Sequence, residues 1–275
     1  EASSYQLEYS KLFKSKYAAI LNISPDHLER HQTIQKYIKA KLKLVKNQSQ
    51  NSLAFINKND NRIMSKLKKT KYKSKIILVD TNLKKKSLNK FKNENFLSRS
   101  NIENLSFVIR LAKIFKIKKK NLIEAVRNFK GLKYRQQIIF ENKNLTIIND
   151  SKSTSYSSSA EILKEKKNIY WLVGGIPKRG DKFDLPKNYY KKIKGYVFGR
   201  NKKKFLSDLK KKIRLKKFLD LKKAWIELSQ DVKNDNSKNK TILFSPAAAS
   251  FDNFNNFEDR GKYFNKLVKE YKNGI

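Results

Sequence analysis

The chain has 275 residues, close to two ordinary domain lengths, and its 39% hydrophobic and 12% aromatic content can bury a sizeable core. No run approaches the ~18 uninterrupted apolar residues of a membrane span and no charged-then-apolar segment opens the sequence, so the expected address is cytoplasmic. Zero cysteines exclude disulfides and thiolate chemistry, and two histidines exclude a three-histidine zinc centre; the +41 charge, carried by 55 lysines and ten arginines scattered throughout, reads as a lysine-coated surface of AT-rich coding rather than an arginine-built nucleic-acid site.

In chain order, residues 17–23 (YAAILNI) read as a buried strand stopped by Ser24-Pro25, and residues 33–45 as a helix with Ile34, Tyr37, Ile38, Leu42 and Val45 at helical spacing. Residues 52–56 and 75–79 read as strands, and the lysine-rich residues 84–86 as a solvated connector. Residues 101–117 and 121–129 read as helices, the first with Leu105, Val108, Ile109, Ala112 and Phe115 on one apolar face. Such alternation predicts a parallel α/β sheet. None of the eight glycines precedes Gly131, and G-x-x-x-x-G-K-[ST] occurs nowhere in the sequence, so no Walker-type phosphate loop lies within it.

After Lys130 the pattern restarts, which divides the chain into residues 1–130 and 131–275. Residues 137–140 and 145–148 flank a hairpin signal, followed by a helix at 157–166, strands at 169–173 and 196–199, helices at 203–212 and 221–232, a strand at 241–244 and a last helix at 256–271.

Four clusters carry polar residues where chemistry is possible. In a parallel sheet the carboxyl ends of strands share one edge, so Glu1, Asp26 and His27 can meet there. One carboxylate, one imidazole and waters suit Mg²⁺ carrying a nucleotide, and equally Asp26 serves as a turn residue with His27 on the surface. The second cluster, Asn149-Asp150-Ser151-Lys152-Ser153-Thr154, joins a strand to a helix N-terminus, where free N–H groups bind anions and where Ser and Asp also serve as plain caps. The third, Gly174-Gly175-Ile176-Pro177-Lys178, is a glycine turn with a lysine on its far side; the fourth, Ser245 to Asp252 followed by Phe254 to Gly261, leaves a strand through small residues.

In this order and spacing E-A-S-S-Y-Q-L-E, N-I-S-P-D-H-L-E-R, Y-I-K-A-K, N-D-S-K-S-T, G-G-I-P-K and S-P-A-A-A-S-F-D-N-F-N-N-F-E-D-R-G resemble the Mur ligases, over essentially the whole chain. The D-N-P-R motif of the diamino-acid-adding member is missing, which favours the D-glutamate-adding branch. The resemblance implies part of a parallel-sheet central ATPase domain in residues 1–130 and a Rossmann-like α/β amino-acid-binding domain in residues 131–275. It implies ATP-dependent ligation of D-glutamate to UDP-N-acetylmuramoyl-L-alanine through an acyl phosphate, with Mg²⁺, in peptidoglycan precursor synthesis.

Residue by residue, the resemblance makes Glu1 and His27 Mg²⁺ ligands and Lys41 a carbamylated lysine beside the metal, with His27 and Lys41 also catalytic and Asp26 substrate-binding. It assigns Asn101, Asn104 and Arg135 to the nucleotide, Asp150 and Lys152 to the ATP ribose and phosphates, and Thr154, Lys178, Ser250, Phe251 and Phe257 to the D-glutamate pocket. A cationic Lys178 with two hydroxyls suits a dicarboxylate. Leu97-Ser98-Arg99-Ser100 stands where the family usually has a glycine and a histidine. The family's phosphate loop and uridine-nucleotide domain lie upstream of the equivalent of Glu1, so the expectation is that this chain alone is inactive, the upstream part belonging to the same or a separate polypeptide. Two rival readings are a non-catalytic D-glutamate-binding remnant and a basic nucleic-acid-binding protein.

Overall fold

The computed structural model describes residues 1–23, 28–83, 88–96 and 98–271. Asp26, His27 and the connector at residues 84–86 lie outside the described residues. The chain divides into two compact units, Glu1–Lys130 and Gly131–Ile275.

In the first unit a three-stranded parallel sheet runs in the order β1 (Tyr17–Ile20), β2 (Leu53–Asn57), β3 (Lys75–Val79). Its helices are α1 (Ser4–Tyr9), α2 (Leu28–His31), α3 (Ile34–Lys46), α4 (Asn61–Leu67), α5 (Arg99–Ile114) and α6 (Lys119–Arg127). Successive strand side chains point to opposite faces. Accordingly Ala54 and Ile56 pack with Ile38, Leu42 and Val45 of α3, whereas Phe55 packs with Ile77, Val79 and Phe107 on the other face.

Two sequence expectations are corrected here. The strand expected at residues 17–23 is shorter and alternates exposed and buried positions, because among the described residues β1 pairs only with β2. On α5 Val108 and Phe115 are each 44% exposed, and the buried positions are Leu105, Ser106, Phe107 and Ala112. That helix serves two clusters at once: Phe107, Leu111 and Ile114 face β2 and β3, while Leu105 and Ile109 pack with Phe91 and Val126, so no single stripe describes it.

The second unit is a six-stranded sheet in the order β4-β5-β9-β6-β7-β8. Its strands are β4 (Gln137–Glu141), β5 (Leu145–Asn149), β6 (Ile169–Gly174), β7 (Ile193–Phe198), β8 (Arg214–Lys217) and β9 (Lys240–Phe244). Only the β4–β5 hairpin is antiparallel, and the other four neighbour pairs are parallel. Its helices are α7 (Tyr156–Glu165), α8 (Lys202–Leu209), α9 (Leu221–Asn234) and α10 (Phe257–Tyr271). Every residue of β6 is buried, the pattern of a strand covered on both faces. Ile169, Trp171 and Val173 face Leu163, Phe205 and Leu209, whereas Tyr170 and Leu172 face Trp225, Leu228 and Phe264. This doubly covered sheet sends the ends of β5, β9, β6 and β7 to one edge, where ligands bind in open α/β folds.

Candidate functional site

In the first unit Ser3 caps α1 and Gln6 returns the bond to the Ser3 N–H at 2.8 Å, which fixes the helix start three residues after Glu1. The α1 segment is locked to α3 through His31. Its ring, 4% exposed, places Nε2 3.0 Å from the buried Ser4 hydroxyl and lies 5.3 Å from the Tyr37 ring. Lys41, one turn beyond Tyr37, holds its ammonium 5.7 Å from that same ring. Asp60 governs the exit of β1: one carboxylate oxygen accepts from the Arg62 and Ile63 N–H groups at the start of α4, the other from the Ile23 N–H at 2.9 Å. The backbone entering the Asp26-His27 segment is therefore tethered to a helix cap.

At the strand-end edge of the second unit, a buried polar chain stands under the loops. Asp150, 5% exposed, accepts from the Gln136 N–H at 3.1 Å through one oxygen and from the Ser245 hydroxyl at 2.8 Å through the other. The Ser245 and Ser159 hydroxyls are 2.7 Å apart and those of Ser159 and Ser153 2.8 Å, and Trp171 Nε1 donates to the Ser245 carbonyl at 2.7 Å. Burial pushes the Asp150 carboxyl up to about 7, against the opposing hydrogen bonds and the charges of Arg135 and Arg260.

Around this chain the loops are joined pairwise. Ile176 and Ala249 exchange both backbone hydrogen bonds at 2.9 Å, which zips the Gly175–Lys178 turn to the loop bearing Ser250. Gly175 has φ +128°, and a Cβ there would meet the Ala249 carbonyl oxygen at 2.5 Å, so glycine is required. Lys152 lies over the Phe257 ring at 4.1 Å. Asn256 caps α10 by accepting from the Asp259 N–H at 2.7 Å, and Glu258 and Asp259 complement the positive end of that helix. Within its first turn Arg260, 1% exposed, donates to the Ser151 hydroxyl at 3.1 Å and to the Ser151 and Ala248 carbonyls at 2.7 and 2.9 Å.

The structure therefore gathers Asp150, Lys152, Thr154, Lys178, Ser250 and Phe251 on loops, and Phe257 at the start of α10, at one sheet edge, with Phe251 71% exposed and Ser250 buried. Arg135 is exposed just before β4. In the first unit Glu1 is exposed, Lys41 half-buried and Asn104 exposed, while the Asn101 amide donates to the Asn95 carbonyl at 2.6 Å. Sequence reasoning gave no role to His31, Ser245 or Arg260. Arg260 did leave a signal, since it stands four residues before Phe264 on the face of α10 that Phe264, Leu267 and Val268 bury.

Residues 1–127 match the Mur ligase middle domain. This match places the first unit in the Mur ligase family, and the chain as a whole is similar to that family's members. Within the family it is similar over 98% of its length to UDP-N-acetylmuramoylalanine–D-glutamate ligases, at 34% identity to that of Rickettsia felis and 36% to that of Buchnera aphidicola. The chain spans 64% of the length of each of these relatives. Among solved structures it is similar to the MurF ligase of Thermotoga maritima in complex with ADP, with a TM-score of 0.67 at 14% identity over 98% of this chain and 66% of that one. It is also similar to MurC of the same organism, with a TM-score of 0.56 at 17% identity over 99% of this chain and 62% of that one, and both likenesses speak to the fold. Among the described residues no helix is long and apolar enough to cross a membrane.

Proposed function

We propose that the chain carries the nucleotide- and amino-acid-handling part of a cytoplasmic ligase that joins D-glutamate to UDP-N-acetylmuramoyl-L-alanine at the expense of ATP. The carrying observation is the 34–36% identity to D-glutamate ligases over 98% of the chain. In the proposed reaction the substrate carboxylate takes the γ-phosphoryl group of ATP, releasing ADP. The D-glutamate amine then attacks the acyl phosphate, an amide bond forms, phosphate leaves and the amine proton passes to solvent.

This chain's own residues supply positioning and charge. In the second unit Lys152, at the N-terminal side of α7, is read as the partner of ATP phosphates and Arg135 as a nucleotide contact, and in the first unit the motif assigns Asn101 and Asn104 to the nucleotide. Lys178 is read as the partner of a D-glutamate carboxylate, with Thr154 and Ser250 as hydroxyl partners and Phe251 and Phe257 as apolar walls. The saturated, buried Asp150 carboxyl shapes the loop from below. Magnesium would neutralise charge on the transferred phosphoryl group. Glu1 offers it a hard oxygen, His27 a nitrogen, and Lys41 becomes an oxygen donor only as a carbamate, the form in which these residues suit this cation.

The reading is tested by calorimetric titration of the protein with D-glutamate, L-glutamate and D-aspartate. D-glutamate binds in preference to the other two, and Lys178→Ala weakens it by roughly ten-fold or more, about 1.4 kcal/mol. Equal affinity for all three, or an unchanged Lys178→Ala, overturns the pocket assignment.

A further inference from the structure

Arg260 occupies an unfavourable place for a cation. It lies in the first turn of α10, where the helix dipole is positive, and it is 1% exposed, so it has given up water as well. Burial lowers its guanidinium to about 10, while the charges of Asp252 and Asp150 act in the opposite sense. A residue kept where burial and the helix field both oppose it needs a reason beyond the stability of the helix.

Its contacts supply one. The fork of Nε and Nη2 holds the hydroxyl and carbonyl of Ser151, next to Lys152, and the carbonyl of Ala248, two residues before Ser250. Among the described residues Nη1 has no hydrogen-bond partner, and it lies 3.1 Å from the position a Cβ would take on Gly175, three residues before Lys178. One planar guanidinium thus bonds the segments bearing Thr154 and Ser250 and backs the one bearing Lys178, while Phe257 stands on the arginine's own helix; the Gly175 and Ala249 segments are also zipped together through Ile176 and Ala249. A lysine, with one compact ammonium, does not reproduce a fork to two carbonyls and a hydroxyl.

We propose that Arg260 is a positioning residue that sets the mutual placement of Lys152, Ser250 and Lys178 by binding Ser151 and Ala248 and backing Gly175. The proposal rests on the D-glutamate reading given above. It assigns the arginine no contact with substrate.

The test is D-glutamate titration of the 275-residue protein and its variants, with the bound affinity expressed per folded molecule as counted by circular dichroism. Arg260→Lys and Arg260→Met each lower D-glutamate affinity about ten-fold or more. Ser151→Ala, which leaves the arginine in place and removes one of its acceptors, lowers affinity about three-fold, and Ser151→Thr, which keeps the hydroxyl, restores it. A purely structural role reduces the folded fraction and leaves the affinity of folded molecules unchanged. Wild-type affinity within two-fold in Arg260→Lys or, should the Arg260 variants not fold, in Ser151→Ala overturns the proposal. A wild-type protein that does not prefer D-glutamate to L-glutamate defeats the functional reading first and this inference with it, so the two failures are told apart by the wild-type titration alone.

Discussion

The ammonium of Lys152 sits 4.1 Å above the centroid of the Phe257 ring, although more than a hundred residues of chain separate the two. Both are half-buried, so the contact is partly stripped of water. Cation–π pairs contribute about 0.5–1 kcal/mol at exposed sites and about 2 when desolvated, so a half-buried pair falls between, at about 1–2 kcal/mol. A double-mutant cycle with Lys152→Met and Phe257→Leu, read by urea unfolding, is expected to return a coupling energy of that size, and additive single effects would contradict the pairing.

The Asp150 carboxyl ties stability to pH. Its folded value of about 7 stands above the ordinary ~3.9 of an unfolded aspartate, so between those values the folded protein keeps a proton that the unfolded chain has released. Stability from this group is therefore fully present below about pH 4, falls as pH rises towards 7 at up to about 1.4 kcal/mol per unit, and levels off above that. Urea unfolding of wild type and Asp150→Asn at pH 5 and pH 8 checks this: the difference between the two proteins moves in favour of the asparagine at the higher pH.

Gly261 sits inside α10, where alanine ordinarily stabilises a helix by about 1 kcal/mol. Here a Cβ would lie 2.3 Å from Tyr134 Cδ1, and the same glycine's carbonyl accepts from the buried Asn149 amide at 2.9 Å. Gly261→Ala is expected to reverse the usual sign and cost about 1–3 kcal/mol by overpacking. Thermal unfolding of the variant gives the sign directly.

Asp60 serves two masters in the first unit, the α4 cap and the Ile23 N–H. Asp60→Ala removes both and is expected to cost about 1–2 kcal/mol. Hydrogen exchange at the Ile23 amide should quicken in the variant, and an unchanged rate there would show that the β1 exit is held by other means.

Much of this architecture was legible because periodicity follows burial. The doubly covered β6 reads as six consecutive buried residues around Trp171, and the second-unit helices carry their apolar residues at helical spacing. Short or exposed elements left no such mark. Helix α1 buries only Ser4 and Leu7, and β8 is Arg-Leu-Lys-Lys with no buried position, charged as edge strands are. The loop motifs carried the site's membership, since Lys152, Lys178 and Ser250 were named from their motifs. What holds them stayed hidden, because the Asp150–Ser245–Ser159–Ser153 chain joins residues of three different loops and helices, and small hydroxyl residues look alike in a sequence whether buried or wet.

The sheet order also fixes a schedule. β9 lies between β5 and β6 and is the last of the second unit's six strands to leave the ribosome, so during synthesis the two strands that flank it have no common neighbour until residues 240–244 emerge. Closing that gap brings together segments nearly a hundred residues apart, a slow step in a chain whose exposed strand edges invite other partners meanwhile. The strand-end loops of Asp150 and Gly175 meet Ser245 and Ala249 only then, so the pocket closes only after β9 has emerged, and a nascent chain cut short before β9 would hold Asp150, Lys152 and Lys178 without the Ser245 and Ala249 contacts that join their loops.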